Sequence, residues 1–123
     1  MINSLNIGQY IFDSLSTTLE GIKICPIVVE KETPMPFIVY KRLSLIPANS
    51  KDGEFEDTAR VEVKVVSENY AEGIEIANQI RERIEVESDT FEGMGIESTL
   101  ENSNEDYAQN VYTQILIYRI KIN

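Results

Sequence analysis

Residues Arg60 to Glu85 read RVEVKVVSENYAEGIEIANQIRERIE, and within them one apolar period gives way to another. Val61, Val63 and Val65 alternate with Glu62, Lys64 and Val66, which predicts a strand with one dry face. At Ser67 the period changes. Tyr70, Ile74, Ala77, Ile80 and Ile84 then recur at helical spacing. Asn69 suits a helix N-cap, and Glu72 stands three residues later, as a capping box requires. A strand therefore feeds an amphipathic helix with almost no loop between them.

Outward from this unit the same reasoning gives the remaining elements. Asn3 or Ser4 is expected to cap a first helix. Its face is Ile7, Ile11, Leu15 and Leu19, widened by Leu5 and Phe12, and Gly21 closes it. Ile22 to Val29 reads as a strand interrupted by Pro26, which suits an edge. Phe37 to Ile46 reads as a second strand, rich in β-branched and aromatic residues. Pro47 to Thr58 is expected to be the main polar loop. Ser88 to Gly95 and Asn102 to Asn110 read as further polar stretches, with Ile96 to Glu101 a short strand between them. Val111 to Ile122 is a final long strand with apolar residues on both faces. Val111, Ile115 and Ile117 lie on one, and Tyr112, Leu116, Tyr118, Ile120 and Ile122 on the other. Such a strand is central in its sheet or covered by a partner. Two helices and five to six strands predict one α+β domain over residues 1–123, with both helices on one face of a mainly antiparallel sheet. The apolar residues left on the second face predict that a neighbouring subunit covers it.

Composition narrows the function. The 123 residues carry 21 acidic against 11 basic side chains, a formal net charge of −10. Such a surface repels nucleic acid and anionic membranes. No apolar run approaches the roughly 18 residues of a membrane helix, and Met1 to Tyr10 lacks the pattern of a signal peptide. The single Cys25 has no internal disulfide partner and suits a reducing compartment.

The chain has no histidine. Ser-His and Cys-His nucleophile pairs are therefore excluded, and with one cysteine so are the usual zinc sites. Gly93 and Gly95 form only a fragment of a phosphate loop and read as a turn. Asp52, Glu54, Glu56 and Asp57 cluster without the spacing of a calcium loop, so they read as a solvated acidic stretch. Glu82, Glu85 and Glu87 read as exposed charge at a helix end. Tyr40, Tyr112 and Tyr118 read as packing residues, because base-stacking rings are normally set among Lys and Arg. Cys25 reads as a small buried apolar residue. No catalytic residue, metal ligand or cofactor is expected.

Taken in order, five segments resemble the small tail-completion, or tail-terminator, proteins of long-tailed phages and prophages. They are the N-terminal helix with Ile24-Cys25-Pro26, the Met35 to Ser44 strand, and the polar loop around Asp52-Gly53. Arg60 to Val65 with its Asn69-Tyr70 helix start follows, and then Glu105-Asp106-Tyr107 before the last strand. The resemblance spans nearly the whole chain, although Glu87 to Asn104 has no clear counterpart in it. It implies a structural protein in the virion tail, assembled in the host cytoplasm. It also implies a ring, typically of six copies, that caps the tail tube and forms the surface for head docking. The partners so implied are other copies of the chain, the tail tube protein and the head–tail connector protein. DNA would pass through without specific binding. Asp52, Glu54, Glu56 and Asp57 are expected at the lumen or at a subunit contact, where acidic charge keeps DNA from adhering. Two other readings stand beside this one. A small cytoplasmic adaptor could bind one protein partner through a sheet edge, and a glycosidase could work with two paired carboxylates alone.

Overall fold

The computed structural model describes residues 3–49 and 55–123. A 3₁₀ turn, Ser4–Asn6, leads into α1, Ile7–Thr18. β1 (Lys23–Pro26), β2 (Phe37–Asn49) and β3 (Phe55–Ser67) follow, then α2 (Tyr70–Ile84), β4 (Val86–Phe91), β5 (Met94–Ala108) and β6 (Val111–Ile122). The strands form one six-stranded sheet in the order β1-β2-β3-β6-β5-β4. β1 runs parallel to β2, and every other neighbouring pair is antiparallel. The α+β class, the two helices and the mainly antiparallel sheet are as expected. The single parallel pair follows from topology: β1 is a short edge strand carrying Pro26, joined to β2 by a ten-residue connection, Ile27 to Pro36.

Alternation along the strands fixes the two faces. Val61, Val63 and Val65 of β3 share a face with Leu116, Tyr118, Ile120 and Ile122 of β6, and all are buried. Both helices cover this face, α1 over β1 and β2, α2 over β3, β5 and β6. Ile7, Ile11, Leu15 and Leu19 of the first stripe are buried. Leu5 and Phe12, expected to widen it, are exposed. In α2 the buried stripe is Gly73, Ile76, Ala77, Ile80 and Ile84, so it is rotated away from Tyr70, which is exposed.

The start of α2 shows how sequence becomes geometry. The Asn69 side chain accepts from the Glu72 N–H at 2.9 Å, as the cap predicts. The return half of the box runs through Ser67, whose Oγ accepts from the Asn69 N–H at 3.0 Å and lies 2.9 Å from Glu72 Oε1. The first helix has no such cap. Neither Asn3 nor Asn6 makes a side-chain cap bond, and the Ser4 hydroxyl donates to Asp57 instead. Gly21 takes a positive φ of 83° in the turn before β1, two residues beyond the α1 C-cap Leu19.

Three expected loops prove to be strand. β2 and β3 extend into Pro47 to Thr58, pairing as far as Asn49 with Phe55. Ser88 to Gly95 is mostly a hairpin, β4 to β5, turning at Glu92-Gly93 with φ of 49° and 79°. Asn102 to Asn110 belongs almost wholly to β5, which runs 15 residues and turns into β6 at Gln109-Asn110, with φ of 54° and 66°. Both turns have the two positive φ values of the hairpin turn that matches strand twist.

Candidate assembly surface

The face of the sheet opposite the helices carries no other layer among the described residues. Along its centre Phe37, Val39, Val66, Ile115 and Ile117 are half-buried. Charged side chains interrupt them in register: Lys64 lies beside Ile115, and Glu62 between Lys41 and Ile117. Three ion pairs sit on this face, Arg60–Glu101 at 3.0 Å, Lys64–Glu62 at 3.4 Å and Lys121–Glu56 at 3.9 Å. The face is thus an apolar strip braced by exposed, paired charges. The expected apolar residues on the second side of β6, Val111, Ile115 and Ile117, are in place there and remain half-exposed.

Of the four acidic candidates, Glu56 and Asp57 lie among the described residues. Asp52 and Glu54 lie outside the described residues. Glu56 and Asp57 are neighbours in β3, so the strand sends them to opposite faces. Glu56 stands on the open face with Lys121, and Asp57 on the helix side, held by Ser4.

At the far end of the helix side lies an aromatic group. The Tyr70 and Tyr112 rings meet edge-on, with centroids 5.4 Å apart, and Tyr107 lies 4.6 Å from Tyr112. Glu105 accepts from Gln114 Nε2 and from the Tyr70 hydroxyl, each at 2.8 Å. Those bonds, Gln114 first, hold its carboxyl below the usual range, and the Glu105 bond pushes the Tyr70 phenol up. Tyr107 remains more than half exposed. Sequence reasoning treated this region as a connection and missed the group, because polar residues on a strand with a free edge show no apolar alternation.

A second polar knot joins the helices to β4. The Tyr10 hydroxyl donates to Asp89 Oδ2 at 2.8 Å, the Thr90 N–H donates to Asp89 Oδ1 at 2.8 Å, and Arg83 Nη1 stands 3.5 Å from Oδ2. Tyr10 meets Phe91 edge-on. Burial, then the Asp89 bond, pushes the Tyr10 phenol up, while the Tyr10 bond lowers Asp89.

Glu85, Glu87 and Glu97 border an open cleft with Arg81 and Ser98. Among the described residues, the two carboxyls with displaced titration, Asp89 and Glu105, are both lowered, opposite to the shift a glycosidase general acid needs. Among the described residues no three carboxylate or thiol side chains gather as metal ligands, and no helix is long and apolar enough to cross a membrane. Cys25 is buried and unpaired.

No protein-family model matches the sequence, and no curated protein is similar to it. Solved structures do share the fold. A chain of the virion of a native gene transfer agent particle matches with a TM-score of 0.66 over 91% of this chain and 90% of that one, at 8% identity. At that identity the likeness is one of fold, and it extends over nearly the whole of both chains.

Proposed function

We propose that this protein is a structural subunit of a phage-like particle: a tail-completion protein whose copies close into a ring, of six in the first instance. The ring caps the tail tube and offers the surface on which the head–tail connector docks. The observation that carries this reading is the shared fold with a virion chain over nine-tenths of both lengths. The site geometry agrees with it. A sheet with one layer of helices and an uncovered, half-apolar second face suits a subunit that completes itself against other copies. A mechanical role in the particle is part of this reading. Acidic charge on the lumen would let DNA slide past, and Asp52, Glu54, Glu56 and Asp57 are the residues we place at that lumen or at a subunit contact.

The test is solution mass by light scattering across a concentration series, alone and with purified tail tubes. A closed ring, or binding to tube ends with arrest of tube growth, supports the proposal. A chain that stays monomeric and ignores tubes, yet captures one unrelated protein through a sheet edge, would establish the adaptor reading instead.

A further inference from the structure

Both edges of the sheet are only half covered, at opposite ends. On one side β1 pairs with β2 from Phe37 to Tyr40 and stops. The rest of that edge, Lys41 to Asn49, has no strand beside it among the described residues. On the other side β4 pairs with β5 only from Met94 to Ser98. The remainder, Thr99 to Ala108, is likewise bare among the described residues. The bare stretches are nine and ten residues, 41–49 and 99–108, or about 30 Å of strand each.

Direction and position also match. β2 and β6 both run against β3, and β5 runs against β6, so β5 is antiparallel to β2. A head-to-tail arrangement of copies keeps that relation, so the two bare edges meet as an antiparallel pair. The stagger is self-fitting. With the neighbour's β5 laid along β2, β1 stands in line beyond the tip of that β5. The neighbour's β4 stands in line beyond the tip of β2. Each short edge strand fills the space the other leaves, as in a lap joint.

Charge and apolar surface favour unlike edges over like ones. The β2 edge carries Lys41 and Arg42 where β1 ends, and Asp106, near the tip of β5, falls opposite that end in this register and on the same open face as Lys41, all exposed. A mixed pair therefore attracts at the Lys41 end, an attraction that two β2 edges or two β5 edges lack. Where β1 ends, a cleft of about 460 Å³ opens on the helix side, lined by Leu5, Pro26, Ile27, Tyr40 and Arg42. Leu5 and Ile27 are about two-thirds exposed there. Ile27 has a φ of 65°, a backbone region costly for a β-branched residue, and its N–H is tied to the Tyr40 carbonyl at 2.8 Å. At the tip of β5, Tyr107 projects on the same helix side, because it pairs with Tyr112. An exposed aromatic ring on one edge thus faces, on the other, a cleft with apolar walls from Leu5, Pro26 and Ile27 and polar ones from Gln9 and Arg42.

We infer that copies of this chain join by β-strand addition, the Thr99–Ala108 edge of one pairing with the Lys41–Asn49 edge of the next and Tyr107 entering the cleft beside Ile27 and Arg42. The inference rests on the ring reading above and names its joint. A contact of this kind is heterologous, and it closes when the rotation per copy divides a full turn.

Charge exchange tests it. One full-length variant carries Lys41→Glu, and a second carries Asp106→Lys. Each alone is expected to self-associate about tenfold or more weakly than the native chain, with an unchanged melting profile by circular dichroism. An equimolar mixture is expected to regain the native mass, because every joint in an alternating ring is then complementary. Tyr107→Ser, a milder change, should weaken association without altering the melt. If both charge variants keep the native mass, or if the mixture fails to recover it, the joint is overturned while the ring reading stands. If the native chain never associates, with or without tail tubes, ring and joint fall together.

Discussion

The two faces of the sheet share the same strands yet are built on different physics. On the helix side, side chains from β3 and β6 are sealed under α1 and α2 and touch almost no water. On the open side, the alternate residues of those strands stay half-exposed, and exposed ion pairs take the place of a second layer. The difference teaches where the stability of the single subunit resides. Burial of apolar area, at about 25 cal/mol per Å², holds the helix side together. Exposed ion pairs contribute at most about 1 kcal/mol each. The open face is therefore available for assembly at little expense to the fold.

The sharpest test of that contrast is a pair of truncations in one strand. Ile120 is completely buried on the helix side, and Ile117 lies on the open side of β6. Ile120→Ala should destabilise the isolated subunit by about 2–5 kcal/mol in urea unfolding, through lost transfer energy and the cavity left behind. Ile117→Ala should cost about 1 kcal/mol or less. Equal losses would mean that the open face is part of the folding core.

The helix side was largely legible in the sequence for the same reason that it is stable. A buried stripe imprints a period, so Val61, Val63 and Val65, and then Ala77, Ile80 and Ile84, announce both element type and inward face. Val111 to Ile122 was legible down to its termini, because alternating large residues cannot all face water. The open side left a weaker imprint. In the second half of β5 every residue from Glu101 to Ala108 is exposed, so nothing in its own composition marks a strand. Pairing with β6 makes it one, a tertiary effect that overrides local preference. The same holds for the ends of β2 and β3. Of the acidic candidates among the described residues, Glu56 and Asp57 are neighbours in sequence but point to opposite faces, because strand alternation separates them. The free edges were invisible to sequence reasoning, since an edge is defined by which neighbour is missing.

The covered side holds one flaw that a smaller change can expose. Tyr118 is fully buried, yet its hydroxyl has no hydrogen-bond partner among the described residues. Burial, and then the nearby Glu85 charge, pushes its phenol far up, so the group stays neutral throughout the usual pH range. Tyr118→Phe removes an unsatisfied buried polar atom and keeps the ring. The expected result is a gain of up to about 1 kcal/mol by chemical denaturation. A loss of that size would reveal a water or partner group satisfying the hydroxyl.

The Asp89 knot gives the covered side its pH signature. The folded-state carboxyl lies below its unfolded value of about 4. Its contribution is complete above that unfolded value and is lost as pH falls through the lowered folded one. Tyr10 is the mirror case: its phenol is raised above about 10, so its contribution is complete below about 10 and is lost as pH rises through the folded value. In Asp89→Asn the acid-side loss below about pH 4 should be shallower than in the native chain. Superimposable acid limbs would show that the Tyr10–Asp89 bond does not persist in solution.

On the open side the corresponding experiment uses salt rather than acid. Arg60 and Glu101 bridge β3 and the bulge of β5 at 3.0 Å, with about two-fifths of each side chain exposed. In that setting water and mobile ions compete with the pair. A double-mutant cycle of Arg60→Ala and Glu101→Ala on the monomer should give a coupling of about 0.2–0.5 kcal/mol at low salt, shrinking toward zero near 1 M. The Tyr10–Asp89 bond, half-buried and chiefly a hydrogen bond, should change far less over the same range. A large, salt-resistant coupling for Arg60 and Glu101 would mean that the open face is desolvated in the free protein. Another copy would then already cover it, and the contrast between the two faces would belong to the isolated chain alone.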